Sequence, residues 1–377
     1  AANEVLTHDG TDFDWAAGGI TAANFRPNAK PIIINGDMAV AQRGTSTASI
    51  TASGYYGADR WRVGLTGLGT WTQTQESLTS GDAFADGFAN AVKLDCTTDD
   101  ASPAAADSFN LGYKWEGQDV QVLKKGTASA EKTTVAFWIK STKTGTFIAE
   151  LYDHDNTRAV HTAYTVSSTD TWEKKVINFP ADTTGALGDD NANSLTLFLW
   201  LGTGTTYSSG TLATAWATAT NANRAVGQVN CADSTSNNVH ITGVQFEVGE
   251  YTSATLPPFQ HESFGDNLAR CQRYFMTVSS GIYGTAGSNI YFSHSLPVEM
   301  RASPTYSLTT TDFRVGDVVA EGIEISSATV AASSYSNKQI AVFAIGGSFS
   351  PSPTSYRTYM YEPDASYDAV VHMSAEL

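Results

Sequence analysis

The stretch that decides the fold is His240–Phe264, with the sequence HITGVQFEVGEYTSATLPPFQHESF. In its first part, Val244 and Phe246 alternate with polar or small residues, and this period of two predicts a half-buried β-strand. Pro257-Pro258 then enforces an extended run that donates no ladder hydrogen bonds. We therefore expect the closing strand of a large β-region, followed by a lead-out to a different element.

Upstream of this stretch, short alternating runs recur between turns rich in Gly, Asp, Asn and Thr. They predict strands at Ile32–Ile34, Trp71–Glu76, Ala91–Asp95, Tyr113–Glu116, Thr133–Lys140, Thr146–Tyr152, Trp172–Phe179 and Ser194–Leu201. Short helical segments are predicted at Asp59–Arg62 and Leu212–Thr218. About ten short strands without a long helix favour a β-sandwich of the jelly-roll type.

Downstream, Leu268, Cys271 and Phe275 recur at helical spacing and predict one short helix over Gly265–Phe275. A second series of alternating runs then predicts strands at Ile290–His294, Thr305–Thr310, Gly322–Ser327, Gln339–Phe343 and Ala369–Ser374. The predicted fold is all-β, a jelly-roll β-sandwich followed by a short helix and a second, smaller β-sandwich. The predicted domains are an N-terminal connector or attachment arm (1–30), the jelly roll (31–262), a helical linker (263–280) and the C-terminal β-sandwich (281–377).

Charge and composition limit the partners. The formal net charge is −16 and the isoelectric point about 4.7, so the surface as a whole repels nucleic acid and anionic lipid. No run of 18 apolar residues exists, so no membrane insertion is predicted. Neutral glycans, cations and basic protein surfaces remain as partners. Three widely spaced cysteines, Cys96, Cys231 and Cys271, are predicted to be small buried hydrophobic residues.

Two strands indicate what the sheet carries on its second face. In SLTLFLWLG the leucines form one face, which leaves Phe198 and Trp200 on the other. In FIAELYD, Glu150 and Tyr152 lie opposite the apolar residues. Aromatic rings stack on sugar rings and carboxylates accept hydrogen bonds from hydroxyl groups, so these four residues are the candidate glycan-binding set. The alternative is that a loop or another subunit covers this face.

Catalytic and metal motifs are few. Nucleophile-elbow, zinc-protease, P-loop and dinucleotide fingerprints are absent, so we predict that the protein is not an enzyme. Glu150, Glu247 and Asp153 are the carboxylates to inspect for glycosidase pairing, and Asp153-His154-Asp155 is interpreted as a polar turn. No cofactor is certain. Calcium is a candidate, with Gly36, Asp37 and Glu247 as ligands if the first and last strands meet, whereas Asp37 alone would cap a turn.

Several blocks of the sequence resemble one known family. The segments IIINGDMAVAQRGTS and YGADRWRV are similar to the opening of a β-domain found in virion-surface and tail fibre proteins of tailed bacteriophages, especially marine phages. VAFWIKSTKTGTFIAELYD and TWEKKVINFPADTTG are similar to its middle, and ITGVQFEVGEYTSATLPPFQHESFGDNLARCQRYF to its end. The similarity covers roughly residues 31–276 in the correct order.

The resemblance implies a carbohydrate-binding-module-like jelly roll in a virion structural protein. It implies glycan adhesion to the host surface, a homotrimer, attachment to other virion proteins through the N-terminal arm, and a location on the tail or capsid surface. It also implies that the matching opening residues fix turns and a buried ion pair; they are Asn35, Gly36, Gln42, Arg43, Asp59, Arg60 and Trp61. Two alternatives stay open, a purely structural virion protein without a ligand and a polysaccharide depolymerase.

Overall fold

The computed structural model shows a protein built almost entirely from antiparallel β-strands, which confirms the predicted all-β fold. It describes residues 4–8, 13–17, 30–278, 283–286, 289–316, 322–350, 352–353, 358–361 and 370–377. In the N-terminal arm, β1 (Glu4–His8) pairs antiparallel with β2 (Phe13–Ala17). In the part of the chain that the structure describes, no helix is long and apolar enough to cross a membrane.

Thirteen further strands precede the longest helix. They are β3 (Ser46–Ile50), β4 (Gly54–Tyr55), β5 (Trp61–Thr66), β6 (Thr70–Ser77), β7 (Asn90–Thr98), β8 (Ser108–Glu116), β9 (Thr133–Ser141), β10 (Gly145–Asp153), β11 (Arg158–Val166), β12 (Glu173–Phe179), β13 (Asn193–Thr203), β14 (Ala217–Thr218) and β15 (Asn238–Val248). The helices are α1 (Asp82–Ala85), α2 (Thr205–Ser208) and α3 (Phe264–Gln272). Short 3-10 turns occupy Gly117–Asp119, Gln121–Leu123 and Asn221–Asn223.

These strands form two sheets that pack on a common core. One sheet has seven strands in the order β14-β11-β10-β13-β8-β5-β4, and the other has six in the order β12-β9-β15-β7-β6-β3. The apolar residues of alternate positions meet between them, for example the rings of Trp71 and Phe109, whose centroids are 4.1 Å apart. This is the predicted jelly-roll sandwich, and every strand pair within it is antiparallel.

Strand β15, from which the fold was predicted, lies in the middle of the six-stranded sheet between β9 and β7. Val244 and Phe246 are buried in the core, as their alternation predicts. A register irregularity between Thr242 and Gln245 includes Gly243, whose φ of 61° favours glycine. A Cβ there would lie 2.5 Å from the ring of Phe88, so close packing also requires glycine.

Three local predictions were wrong. Ile32–Ile34 forms bends rather than a strand, because the Ile34 N–H donates to the hydroxyl of Tyr113 (2.9 Å) and not to a neighbouring strand. Asp59–Arg62 is not helical, since Arg60 has a φ of 72° and β5 begins at the next residue. Leu212–Thr218 is irregular and ends in β14.

A helix was predicted over Gly265–Phe275; Phe275 instead begins the next strand, and helix α3 forms over Phe264–Gln272. The hydroxyl oxygen of Ser263 caps it by accepting a hydrogen bond from the N–H of Asp266 (3.2 Å), and Asn267 and Cys271 face inward. All three cysteines are free and buried, as predicted. Cys271 and Tyr274 belong to the core of the sandwich.

The C-terminal region is also built from antiparallel strands. They are β16 (Phe275–Val278), β17 (Tyr283–Ala286), β18 (Ile290–Ser295), β19 (Thr305–Leu308), β20 (Phe313–Gly316), β21 (Ile323–Ala332), β22 (Ile340–Ser350), β23 (Thr358–Tyr361) and β24 (Val371–Ser374). A sandwich was predicted here. The structure has a closed barrel of order β17-β18-β22-β21-β20-β23 beside a three-stranded sheet of order β16-β24-β19, because β17 pairs with both β18 and β23.

Candidate functional site

The candidate site lies on the outer face of the seven-stranded sheet, which we define as the face turned away from the core. Cross-strand pairing places Arg62 of β5, Gly112 of β8, Phe198 of β13, Glu150 of β10 and His161 of β11 in one row across this face. Their sequence neighbours point into the core, since side chains alternate along a strand.

A second row on the outer face runs beside the first. It contains Lys114 of β8, Thr196 of β13 and Tyr152 of β10. The N-terminal half of the next turn adds His154, whose Nε2 is 2.9 Å from the hydroxyl of Thr196. The ring centroids of Tyr152 and His154 are 4.7 Å apart. The four residues of the predicted glycan-binding set therefore do share one surface.

Arg224 joins those four residues, although the sequence analysis did not single it out. Its guanidinium carbon lies 5.1 Å from the ring centroid of Tyr152 and 5.3 Å from those of Phe198 and Trp200. Its Nε donates to Oε1 of Glu150 (2.8 Å) and its Nη2 to Oε2 (3.1 Å). This bidentate geometry fixes the guanidinium among the aromatic rings.

Part of the outer face is closed over by the chain itself. We call the segment Gly204–Ala225 the covering segment. Its Tyr207 ring lies 5.5 Å from that of Trp200, and Ala225 is buried in the same small apolar cluster. Trp200 is 1% exposed and Glu150 is fully buried. Coverage by a loop was the alternative for this face, and it holds for these two residues.

The buried carboxylate of Glu150 is fully engaged. It accepts a hydrogen bond from the indole Nε1 of Trp200 (2.7 Å) as well as the two from Arg224, and Nε2 of His161 is 3.5 Å away. Burial alone would raise the pKa of Glu150, but Arg224 and His161 outweigh it and hold that pKa below its usual value. Glu150 and Trp200 therefore support the surface from beneath.

The remainder of the face is open. Phe198 and Tyr152 are each half-buried, with part of the ring exposed, and His154 is exposed. Between Phe198 and Arg62 stands Gly112, which is buried, and a Cβ there would lie 3.7 Å from the ring of Phe198. The open half thus offers the aromatic edges of Phe198 and Tyr152.

The calcium candidates occupy different environments. Gly36 does pair with the last strand of the sandwich, since the Val244 N–H donates to its carbonyl (2.9 Å). The carboxylate of Asp37, however, accepts a hydrogen bond from Nδ2 of Asn267 (3.2 Å) and contacts the N–H of Ala39 (3.4 Å), as a turn-capping side chain does. Glu247 is buried, and its Oε1 lies 3.4 Å from Nε2 of Gln245. Among the residues described, no three His, Cys, Asp or Glu side chains cluster to hold a metal ion.

The other acidic residues considered for catalysis also have structural partners. Asp153 is buried and forms ion pairs with Lys125, which also contacts Asp182 at 2.9 Å. The carboxylate of Asp155 accepts a hydrogen bond from the N–H of Gly188 (2.8 Å). Because His154 turns to Thr196, the three residues Asp153-His154-Asp155 point to different partners, as expected for a polar turn.

The opening block carries the turn and ion pairs that the family resemblance implies. The side chain of Asn35 accepts from the N–H of Val40 and donates to the carbonyls of Val40 and Asp59, all at 2.9 Å. The indole of Trp61 donates to the carbonyl of Asn35 (2.9 Å). Arg60 is buried and forms an ion pair with Glu376 at 2.7 Å. The contacts of Asn35, Trp61 and Arg60 thus fix a turn and a buried ion pair, as the resemblance implies.

A second concavity lies where the sandwich meets the C-terminal region. This cleft of about 410 Å³ is lined by aromatic, basic and hydroxyl side chains. The guanidinium carbon of Arg43 stands 3.4 Å above the ring of Phe275, with Tyr55, Tyr56 and His372 around it. The sequence analysis did not find this cleft, because its walls come from segments more than two hundred residues apart.

No protein-family model matches the chain, and neither does any curated protein sequence. Several solved structures are similar at low identity, and three of them follow. The enzymatically active domain of tailspike protein 4 from bacteriophage CBA120 has 12% identity and a TM-score of 0.28, over 50% of this chain and 19% of that one. The "putative sugar binding protein" of Bacteroides thetaiotaomicron has 13% identity and a TM-score of 0.31, over 58% of this chain and 100% of that one. The family 11 carbohydrate-binding module of cellulase Lic26A-Cel5E from Clostridium thermocellum has 11% identity and a TM-score of 0.25, over 54% and 99%.

Proposed function

We propose that the protein is a virion-surface adhesion protein of a tailed bacteriophage, which binds glycans of the host surface without chemically changing them. The open half of the outer face would hold the sugar. The observation that carries the proposal is the pair of partly exposed rings, Tyr152 and Phe198, fixed by Arg224. The phage part of the proposal rests on the sequence blocks over residues 31–276.

The geometry supports a binding surface for glycans. Aromatic rings that are partly exposed and held in place stack on the C–H face of a sugar without losing much side-chain entropy. Arg224 restrains both rings through its own bidentate contact with Glu150. A shallow site of this kind binds weakly by itself, so many identical copies on one particle would supply the avidity.

Binding without catalysis is part of the proposal. A glycosidase needs two carboxylates about 5–10 Å apart beside the scissile bond. Glu150 lies beneath the covering segment in its pair with Arg224, and Asp153 is buried against Lys125. Release of soluble oligosaccharide from host polysaccharide would favour the depolymerase alternative.

The test is a glycan array probed with the full chain, followed by titration calorimetry with the glycans that bind. The double variant Y152A/F198A is expected to lose about 10-fold or more in affinity, since each ring contributes roughly 1 kcal/mol. The matched control is Phe84→Ala, which removes an exposed phenylalanine (46% exposed) of helix α1.

Retained affinity in Y152A/F198A would remove the outer face from the proposal and point to the cleft around Tyr55 and Phe275. Absence of binding to host glycans and cell-wall extracts would contradict adhesion, and would favour a purely structural virion protein. Homotrimer formation and attachment through residues 1–30 are further parts of the proposal. Mass measurement of the isolated assembly, with and without residues 1–30, tests both.

A further inference from the structure

The cleft between the sandwich and the C-terminal region lies at one edge of the sandwich. Strand β4 is the last strand of the seven-stranded sheet and β3 is the last strand of the six-stranded sheet, and residues of both line the cleft. The three-stranded sheet β16-β24-β19 forms the other wall. The volume of about 410 Å³ falls within the range of about 300–1,000 Å³ that is usual for small-molecule sites.

The wall from the C-terminal region carries polar side chains in a defined register. His372 of β24 lies beside Ser307 of β19, and Ser374 lies beside Phe275 of β16. Met373, between the two polar residues of β24, is buried in the core of the C-terminal region. Because side chains alternate along a strand, the polar side chains point away from that core, and they line the cleft.

These polar groups are available to a ligand. Within the described part of the chain, no group hydrogen-bonds to the hydroxyl of Ser307, to the hydroxyl of Ser374 or to the ring nitrogens of His372. Each hydroxyl can both donate and accept. Burial and the positive charge of Arg43 lower the pKa of His372, so its neutral ring has one donor and one acceptor at pH 7.

Arg43 is a paired charge in the wall of the cleft. Its guanidinium carbon stands 3.4 Å from the ring centroid of Phe275. Its Nη2 is 3.2 Å from Oε1 of Glu376, and its Nη1 is 3.6 Å from Oδ1 of Asp59. Among the described residues that line the cleft, none is a lysine or an acidic residue. The cleft is therefore polar, and its one arginine is already engaged with carboxylates.

Tyr56 supplies an aromatic ring that is held in place. Its hydroxyl donates to the carbonyl of Ala52 (2.8 Å). A Cβ added to Gly54 would lie 2.8 Å from Cζ of Tyr56, so the ring packs closely on this glycine. Tyr56 is partly exposed and lines the cleft. A ring that is fixed before binding loses little side-chain entropy when a sugar stacks on it.

We propose that this cleft is a second glycan-binding site, which takes a short stretch of a neutral glycan. A sugar ring stacks on Tyr56, and its hydroxyl groups exchange hydrogen bonds with Ser307, His372 and Ser374. The inference rests on the proposed function for its ligand class, but it uses none of the side chains proposed on the outer face. We expect the cleft to be the weaker site, since the sugar stacks on one ring and not on two.

The test is titration calorimetry of the full chain carrying Y152A/F198A, which removes the rings of the outer face. The probes are three neutral tetrasaccharides, cellotetraose, maltotetraose and mannotetraose, with tetragalacturonate as the acidic comparison. Adding Y56A/H372A is expected to lower the remaining affinity for the neutral probe that binds by about 10-fold or more, because a ring and a hydrogen-bonding group are lost. Tetragalacturonate is expected to bind more weakly, since the cleft has no unpaired cation for its carboxylates.

The matched control is Y335A/H294A, which removes a tyrosine and a histidine of the C-terminal region that do not line the cleft. It is expected to leave the remaining affinity within about 2-fold. Hydrogen exchange of the wild type keeps the test independent of how well the variants fold. A neutral probe that binds is expected to slow exchange in both walls of the cleft, at residues 46–56 and 371–374.

The outcomes separate the two proposals. Absence of neutral-probe binding in Y152A/F198A, remaining affinity unchanged by Y56A/H372A, or tighter binding of tetragalacturonate overturns the second site and leaves adhesion through the outer face standing. Unchanged exchange in either wall of the cleft also overturns it. Failure of every probe and of every glycan on the array to bind the wild type overturns both proposals.

Discussion

The covered and open halves of the outer face share strands β10 and β13, and the open half extends onto β8 and β5; the two halves differ in how their charged groups are paired. Under the covering segment, Glu150 and Arg224 neutralise each other and Trp200 donates its N–H to the same carboxylate. In the open half, the Nζ of Lys114 donates to the main-chain oxygen of Leu377 (2.5 Å). Burial and the charge of Arg62 lower the pKa of Lys114, and the charge of nearby Glu376 raises it by less. The difference teaches that the fully buried carboxylate of this face is neutralised by a bidentate ion pair, whereas the partly exposed cations have looser partners.

The physical reason lies in desolvation. A buried charge without a partner costs several kcal/mol, so the covering segment is compatible only with a neutralised pair beneath it. Arg62 is partly exposed to water, so its charge carries a smaller requirement of this kind. Substitutions in the two halves should therefore have different effects. Those in the covered half should lower the free energy of unfolding, and those in the open half should weaken ligand binding.

The largest effect is expected from Trp200→Ala. Trp200 is 1% exposed and packs beneath Tyr207, so truncation leaves a cavity and removes the hydrogen bond to Glu150. We expect the free energy of unfolding to fall by about 3–5 kcal/mol in urea denaturation. Phe198→Ala, in the open half, is the comparison and should cost about 1 kcal/mol. Equal losses of unfolding free energy in the two variants would contradict the distinction between the covered and open halves.

The next effect is expected from Glu150→Gln. This change leaves the guanidinium of Arg224, whose side chain is 14% exposed, without its anionic partner, and we expect a loss of about 3 kcal/mol in the same assay. The control is Glu250→Gln, since Glu250 is 54% exposed in its pair with Lys132 and should cost less than about 1 kcal/mol. Similar losses of unfolding free energy in Glu150→Gln and Glu250→Gln would mean that burial does not determine how much an ion pair contributes to stability.

The same pair predicts an acid response. Because the pKa of Glu150 is held below its ordinary value of 4.5, the stability that it contributes is present above pH 4.5 and is lost as the pH falls through its lower folded pKa. Relative to Glu150→Gln, the wild type should therefore lose its advantage in unfolding free energy below about pH 4.5. A constant difference between wild type and variant down to pH 3 would contradict the assigned direction.

The strands were predictable because alternation forces every second residue of a half-buried strand to be apolar, as Leu197 and Leu199 of β13 illustrate. The same alternation placed Phe198, Trp200, Glu150 and Tyr152 on one face. This alternation could not predict the covering segment, because the apolar residues of that segment follow no regular spacing. Its position depends on contacts between distant residues, such as that of Tyr207 with Trp200.

The error at Ile32–Ile34 also comes from a contact distant in sequence. The segment has strand composition, but the hydroxyl of Tyr113, 79 residues away, accepts the hydrogen bond of the Ile34 N–H.

The sequence analysis also missed the cations of the open half, although the sequence contained a signal for them. Arg62 in WRVGLT and Lys114 in GYKWE are charged residues at the alternate positions of otherwise apolar strands, which places them on the outer face.

The smallest effect is expected in the open half, from Lys114→Met. The pKa of Lys114 is about 8 in the folded protein and ordinarily 10.5, so between these values the unfolded chain binds more protons. Stability of the wild type relative to the variant should therefore rise from pH 8 to pH 10.5, as the charge that opposes folding is lost. Because Lys114 is partly exposed, solvent screens the effect, and its sign is the test. Urea midpoints of both proteins at pH 7.5 and 10 measure it. A relative stability that falls over this range would mean that Lys114 is neutralised in the folded protein, and the open half would then match the covered half.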